Sequence, residues 1–237
     1  MRPRLLLALL LALAAPLLRG QNAPPSLERI GLTLLTSADI RRELKLSKEV
    51  SAQVEAEFKA YVEKAQSLFR GKNTQAEQQA ALAELRKVQD GTAARILAKL
   101  TPAQRLRLRQ LTLQSQSVLL ILHPEVVKEL GLTSAQITKL KEIREKAEAK
   151  VRELEMRRRS QLDAVPKPKQ GAGQKEVQDY NQRLQAEIQS FAAADQKQIQ
   201  AWSRETEQAS LAVLTPTQRK KWDQMLGPKF RRPGTKP

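Results

Sequence analysis

Apolar residues recur every three or four positions along most of this chain, and this spacing constrains its fold more than any other feature. The longest such stretch begins at Val177 and ends at Val213, and as a helix it would be roughly 57 Å long. A helix of that length with one apolar stripe must lie along a partner helix. Nine glycines and only four Phe, two Trp and two Tyr favour helices over sheets with tight turns. The sequence predicts an all-α fold of elongated helical hairpins.

Composition excludes several functional classes. The chain has no cysteine and one histidine, His123, so disulfides, thiolate sites and paired-histidine metal sites are excluded. Neither a Ser/His/Asp set nor a glycine-rich phosphate loop stands out. We therefore expect a non-enzymatic protein without cofactor or metal, in which His123 is a capping or loop residue.

The N-terminus has the pattern of an export signal. Arg2 and Arg4 precede an uncharged run, Leu5 to Leu18, built almost only from Leu and Ala. This run is shorter than the about 20 residues that a permanent transmembrane helix needs, and a small residue follows it at Gly20 or Ala23, as at a signal cleavage site. The sequence predicts a signal peptide over residues 1–23 and a periplasmic or secreted mature chain without a later span.

Two pairs of segments indicate an internal duplication. Residues 40–47 align with 126–133 without a gap, and residues 100–105 align with 214–219. The repeats predict two helical hairpins that form a pseudo-dimeric bundle or cradle. The expected organisation is a linker over 24–35, hairpin repeat 1 over 36–114, hairpin repeat 2 over 115–226 with longer arms and a flexible tip at 165–174, and a basic disordered tail over 227–237.

Three LTxxQ boxes lie at hairpin boundaries. Thr at the N-cap accepts a hydrogen bond from the third helical amide, and Gln three residues later reaches back to the N-cap amide. The preceding Leu packs down onto the bundle and fixes the angle of approach. Residues 46–50 form a degraded fourth copy. The three intact boxes contain Leu100, Thr101 and Gln104; Leu132, Thr133 and Gln136; and Leu214, Thr215 and Gln218.

The boxes, export signal, helical hairpins and basic charge together resemble the LTxxQ-motif periplasmic proteins, which include Spy-type chaperones and CpxP-type envelope-stress regulators. Those proteins carry two boxes per chain and pair as dimers into a thin, curved helical cradle. Its concave face is basic and partly apolar, and it holds unfolded clients without ATP. The resemblance covers about residues 36–226. Four box positions in one chain imply a covalent pseudo-dimer, with the boxes as structural rather than client-reading elements.

The charge of the chain predicts anionic partners. The formal net charge is +17, and removal of residues 1–23 would take away three arginines and no acid. A run without acids between residues 95 and 109 is the candidate client- or anion-binding site. Its cations are Arg95, Lys99, Arg105, Arg107 and Arg109.

Charge and resemblance together favour an exported chaperone-like protein or envelope-stress modulator that binds unfolded or acidic protein clients. The alternative is a structural envelope protein that coats an anionic surface of lipid or polysaccharide. Nucleic-acid binding would require the export signal to be wrong, so we expect no nucleic-acid partner.

Overall fold

The computed structural model describes residues 24–231 except 73, 169, 170 and 172, so the predicted signal peptide over 1–23 and residues 232–237 of the predicted tail lie outside the described residues. Within the described part the fold is all-α, as predicted, with nine α-helices, one 3-10 helix and no strand. The 3-10 helix is Gly31–Thr36, and the α-helices are α1 (Leu27–Ile30), α2 (Ala38–Glu43), α3 (Lys48–Phe69), α4 (Gln75–Ala98), α5 (Pro102–Leu120), α6 (Pro124–Leu130), α7 (Ser134–Asp163), α8 (Gln174–Ala212) and α9 (Pro216–Leu226).

The chain divides into two compact units. Among the described residues, the first unit comprises residues 24–126 and 221–231, and the second unit comprises Val127–Lys220. This division differs from the predicted boundary at 114/115, because the end of α5 and the second half of α9 pack with the first unit. The tandem duplication itself stays a prediction.

The core of the first unit lies where α3, α4 and α5 meet the N-terminal segment. Two features build it: the apolar stripe of α3, and leucines from the short helices that precede α3. Val54 and Ile96, on α3 and α4, are fully buried. The cluster contains Leu32, Leu35, Ile40, Leu44, Val54, Ala93, Ile96, Leu100, Leu108 and Leu111.

Residues 24–35, which the sequence predicts to be a linker, are instead folded into the first unit. The Ser26 hydroxyl caps α1 by accepting a hydrogen bond from the Arg29 amide, and Leu27 and Leu35 are fully buried. Gly31 permits this packing, because a Cβ there would lie 1.9 Å from Thr112 Oγ1. The segment is apolar enough to fill the core, although each helical piece is too short to show a periodic pattern.

The second unit is built on the antiparallel pair α7 and α8. Arg158 pairs with Asp195 at 2.5 Å, and Lys150 pairs with Glu205 at 2.8 Å. These pairs set an antiparallel register, in which residue numbers rise along α7 as they fall along α8. Residues 164–173 connect the helices, close to the predicted tip at 165–174. Leu140 and Leu154 of α7 are buried.

No helix in the described part of the chain combines the length and the apolar character that crossing a membrane requires.

Candidate binding surfaces

Each of the three boxes starts a helix with a reciprocal pair of hydrogen bonds. At the start of α5 the Gln104 amide donates to Thr101 Oγ1 at 3.3 Å, and the Thr101 amide donates to Gln104 Oε1 at 2.9 Å. The same pairs start α7 and α9 at 3.0 to 3.3 Å. The leucine of each box is buried. The three boxes are therefore structural elements of helix starts.

The box glutamines also join separate segments, which the sequence analysis missed. Gln104 Nε2 donates to the Leu44 carbonyl at 3.1 Å, so the start of α5 is tied to the end of α2. Gln218 Nε2 lies 3.4 Å from the Leu130 carbonyl, at the end of α6. Leu44 and Leu130 occupy aligned positions of the two predicted repeats, so these equivalent bonds support the proposed duplication.

The second unit adds a direct pairing of two box side chains. Gln136 Nε2 donates to Gln218 Oε1 at 2.7 Å, and Gln218 Nε2 donates back to Gln136 Oε1 at 3.2 Å. Gln136 also donates to the Val213 carbonyl at 3.0 Å. The side chain of Glu77, at the same position of the Thr74 capping box, is a carboxylate and has no N–H to donate. The presence of Gln rather than Glu in all three LTxxQ boxes was the sequence signal for this second role.

The five cations of the basic run do not form one open surface. Arg95 pairs with Glu57 of α3 at 2.9 Å. Arg107 pairs with Glu43 of α2 at 2.6 Å. Because these acids are distant in sequence, the run seemed uncompensated, and that expectation is corrected by the fold.

The remaining members of the run also lie against the first unit. Arg109 Nε lies 3.7 Å from Glu125, and Arg105 Nε donates to the Leu100 carbonyl at 3.2 Å. Lys99 is half-buried at the end of α4. Arg105 and Arg109 are four positions apart and share one face of α5, whereas Arg107 lies on the nearly opposite face. The cations of this run therefore mainly make contacts within the first unit.

A different surface, on the second unit, stays open. Val177, Ile188 and Ile199 of α8 are 40%, 42% and 41% exposed. They are spaced by eleven positions, or three helical turns, so they lie on one face of α8 over about 33 Å. Val151 of α7 is 42% exposed. We call Val177, Ile188 and Ile199 the α8 stripe; because these exposed apolar residues share one face of a long helix, the stripe is the candidate interaction surface.

The single histidine has a structural role. His123 is buried, its Nε2 lies 2.9 Å from the Pro25 carbonyl, and its Nδ1 accepts a hydrogen bond from the Glu125 amide at 3.4 Å. Glu125 Oε1 in turn accepts from the Leu27 amide at 3.3 Å. His123 therefore joins the start of α6 to the N-terminal segment. Among the described residues no group of three His, Asp or Glu side chains could hold a metal ion.

No family model matches this chain, and neither a curated protein nor a solved structure matches it.

Proposed function

We propose that this protein is an exported, non-enzymatic, ATP-independent chaperone-like protein of the periplasm, related to the LTxxQ-motif proteins, that holds unfolded clients. The observation that carries this proposal is the α8 stripe. The stripe offers apolar surface along α8, a helix of 39 residues. The partner helix α7 is too narrow to cover this surface alone.

The physical mechanism has two parts. The net positive charge of the chain attracts acidic segments and raises the rate of encounter. Apolar side chains of the client then contact the α8 stripe, which removes apolar surface from water. Each stripe residue is already more than half covered, so each contact is weak, and clients can exchange while they fold.

The test uses the mature chain, residues 24–237, in an aggregation assay with an unrelated reduced protein. We expect suppression of light scattering at a near-stoichiometric ratio. The double variant Ile188→Gln/Ile199→Gln should lose at least half of that suppression. The matched control is Leu82→Gln, which changes a 47%-exposed leucine of α4 in the first unit and should keep full activity.

The runner-up is a structural protein that coats an anionic envelope surface. It predicts the opposite pattern: binding to vesicles with anionic lipid, no suppression of aggregation, and no effect of the stripe variants. Export is tested separately, by recovery of the signal-cleaved chain from the soluble envelope fraction.

A further inference from the structure

The segment that follows α9 is bound to α5 through its main chain. The Gln114 side-chain amide donates to the Leu226 carbonyl at 2.6 Å and to the Pro228 carbonyl at 2.8 Å, and its Oε1 accepts from the Phe230 amide at 2.9 Å. Arg107 also donates to the Pro228 carbonyl, at 2.8 Å. Residues 227–231, predicted as the start of a disordered tail, are therefore held in place.

These bonds have the form of peptide recognition. The Gln114 side-chain amide contacts both the C=O of residue 228 and the N–H of residue 230, so it binds the main chain on both sides of Lys229, next to the bend at residue 228. The hydrogen bonds to residues 226–230 involve main-chain atoms and no side chain of the segment. They therefore require no particular sequence, except that the residue at the position of Phe230 must have a main-chain N–H.

Arg107, one of the residues that make these contacts, also has partners that do not belong to the segment. Arg107 is fixed by the Glu43 carboxylate at 2.6 Å and donates to Gln110 Oε1 at 3.0 Å. Gln110 lies directly against the turn, because a Cβ on Gly227 would be 2.4 Å from it, and Gly227 has a φ of +63°. Fixed donors lose little conformational entropy on binding, which favours a preformed site.

Phe230 supplies the apolar part of the contact. Its ring packs against the core cluster of the first unit, whereas Pro228, Lys229 and Arg231 are exposed. Leu106, four residues before Gln110 and so on the same face of α5, is 55% exposed. The apolar surface thus continues beyond the part that residues 227–231 occupy.

We propose that α5 carries a binding site for polypeptide main chain, formed by Arg107, Gln110, Gln114 and the apolar contact of Phe230, and that the chain's own residues 227–231 occupy it in cis. When these residues leave, the site takes a short segment of an unfolded protein that places a large apolar side chain at the position of Phe230. The assignment of that partner rests on the proposed function.

Residues 227–231 control whether another polypeptide can reach the site on α5. A linked ligand has an effective concentration on the order of millimolar, so a free segment of similar affinity competes poorly with it. The site is closed in the resting chain, and displacement or loss of the tail opens it.

The experiment measures binding of a fluorescent peptide with the sequence of residues 225–231 to the mature chain and to a truncated chain that ends at Leu226. We expect micromolar binding to the truncated chain and at least tenfold weaker binding to the full mature chain. Gln114→Ala in the truncated chain should weaken binding at least tenfold, whereas Gln78→Ala, an exposed glutamine of α4, should not change it. A peptide with Ser in place of Phe230 should also bind at least tenfold more weakly.

A second variant covers the case in which truncation unfolds the chain. Phe230→Ser in the full mature chain removes the apolar contact and leaves the length unchanged, and it should also admit the peptide. Absence of binding to a folded open variant, or equal binding to the open and closed chains, would overturn the proposal.

The partner assignment has its own readout. An unfolded reduced protein should displace the peptide from the truncated chain; if it does not, the site is a dock for the tail alone and the assignment to clients is wrong. Peptide binding without suppression of aggregation would leave the site in place and refute the proposed function. Suppression of aggregation without peptide binding would refute the peptide site on α5 and leave the proposed function in place.

Discussion

The two units bury their apolar residues to different extents. In the first unit, helices α3 to α5 gain a third layer from the N-terminal segment, and Leu27, Leu35, Val54 and Ile96 are fully buried. In the second unit, α8 has one long partner helix, and its stripe stays about 40% exposed. The same kind of amphipathic helix therefore forms part of a core where a third layer covers it and keeps an exposed apolar face where none does.

The largest expected effect is a loss of stability that should differ between the two units. Leu35→Ala removes a fully buried side chain and should lower the free energy of unfolding of the first unit by about 2–5 kcal/mol. Ile188→Ala in the α8 stripe should cost less than about 1 kcal/mol, because much of its surface is already in water.

Urea unfolding can follow each unit separately. Trp222 belongs to the first unit and Trp202 to the second, so Trp202→Phe leaves a reporter for the first unit and Trp222→Phe leaves one for the second. Similar losses for Leu35→Ala and Ile188→Ala would remove the distinction between core and open surface.

The box glutamines give the next largest effect. Gln104→Glu keeps the acceptor of the capping pair but loses the donor to the Leu44 carbonyl, and should cost about 1–3 kcal/mol. The matched control is Glu77→Gln in the Thr74 box, which should stay within about 0.5 kcal/mol. Thermal unfolding measures both. Equal effects would show that the boxes act only as helix caps.

The equivalent glutamine of the second unit, Gln218, can be changed in the same way. Gln218→Glu also breaks the reciprocal bond with Gln136, so it should destabilise the second unit by at least as much as Gln104→Glu destabilises the first. The additional loss should disappear in the Gln136→Ala background, as a double-mutant cycle followed by the fluorescence of Trp202 would show.

The surface ion pair between Arg95 and Glu57 is expected to contribute little. Arg95 is more than half exposed, so Glu57→Gln should change the stability of the first unit by about 0.2–1 kcal/mol and lose its effect in high salt. A larger effect that persists in 1 M salt would contradict this interpretation.

The smallest effect concerns alkaline pH. Burial raises the pKa of Tyr61 above its ordinary value of 10.0. The unfolded chain therefore releases this proton at lower pH than the folded chain, so the stability contribution is complete below about pH 10 and falls as pH rises further. Tyr61→Phe should reduce the loss of stability of the first unit between pH 9 and 11, measured by urea unfolding. An unchanged slope would refute this assignment.

The sequence predicts those features that depend on local pattern. The apolar spacing of α3 and α8 predicts long helices, and the threonines of the boxes predict the helix starts. It misses features that depend on distant partners: the acids that pair with Arg95 and Arg107, the donors of Gln104 and Gln218, and the place of Phe230. Residues 24–35 seemed to be a linker because three buried leucines in short helical turns show no period. Those contacts exist only once the first unit has folded.

The most direct test of the account is hydrogen exchange of the mature protein with and without a bound unfolded client. Amides of α8 around Ile188 and Ile199, and of α7 around Val151, should exchange more slowly when the client is present. The buried part of α4 around Ile96 should not change. Protection confined to the first unit, or absent from α7 and α8, would contradict the claim that the α8 stripe is where clients bind.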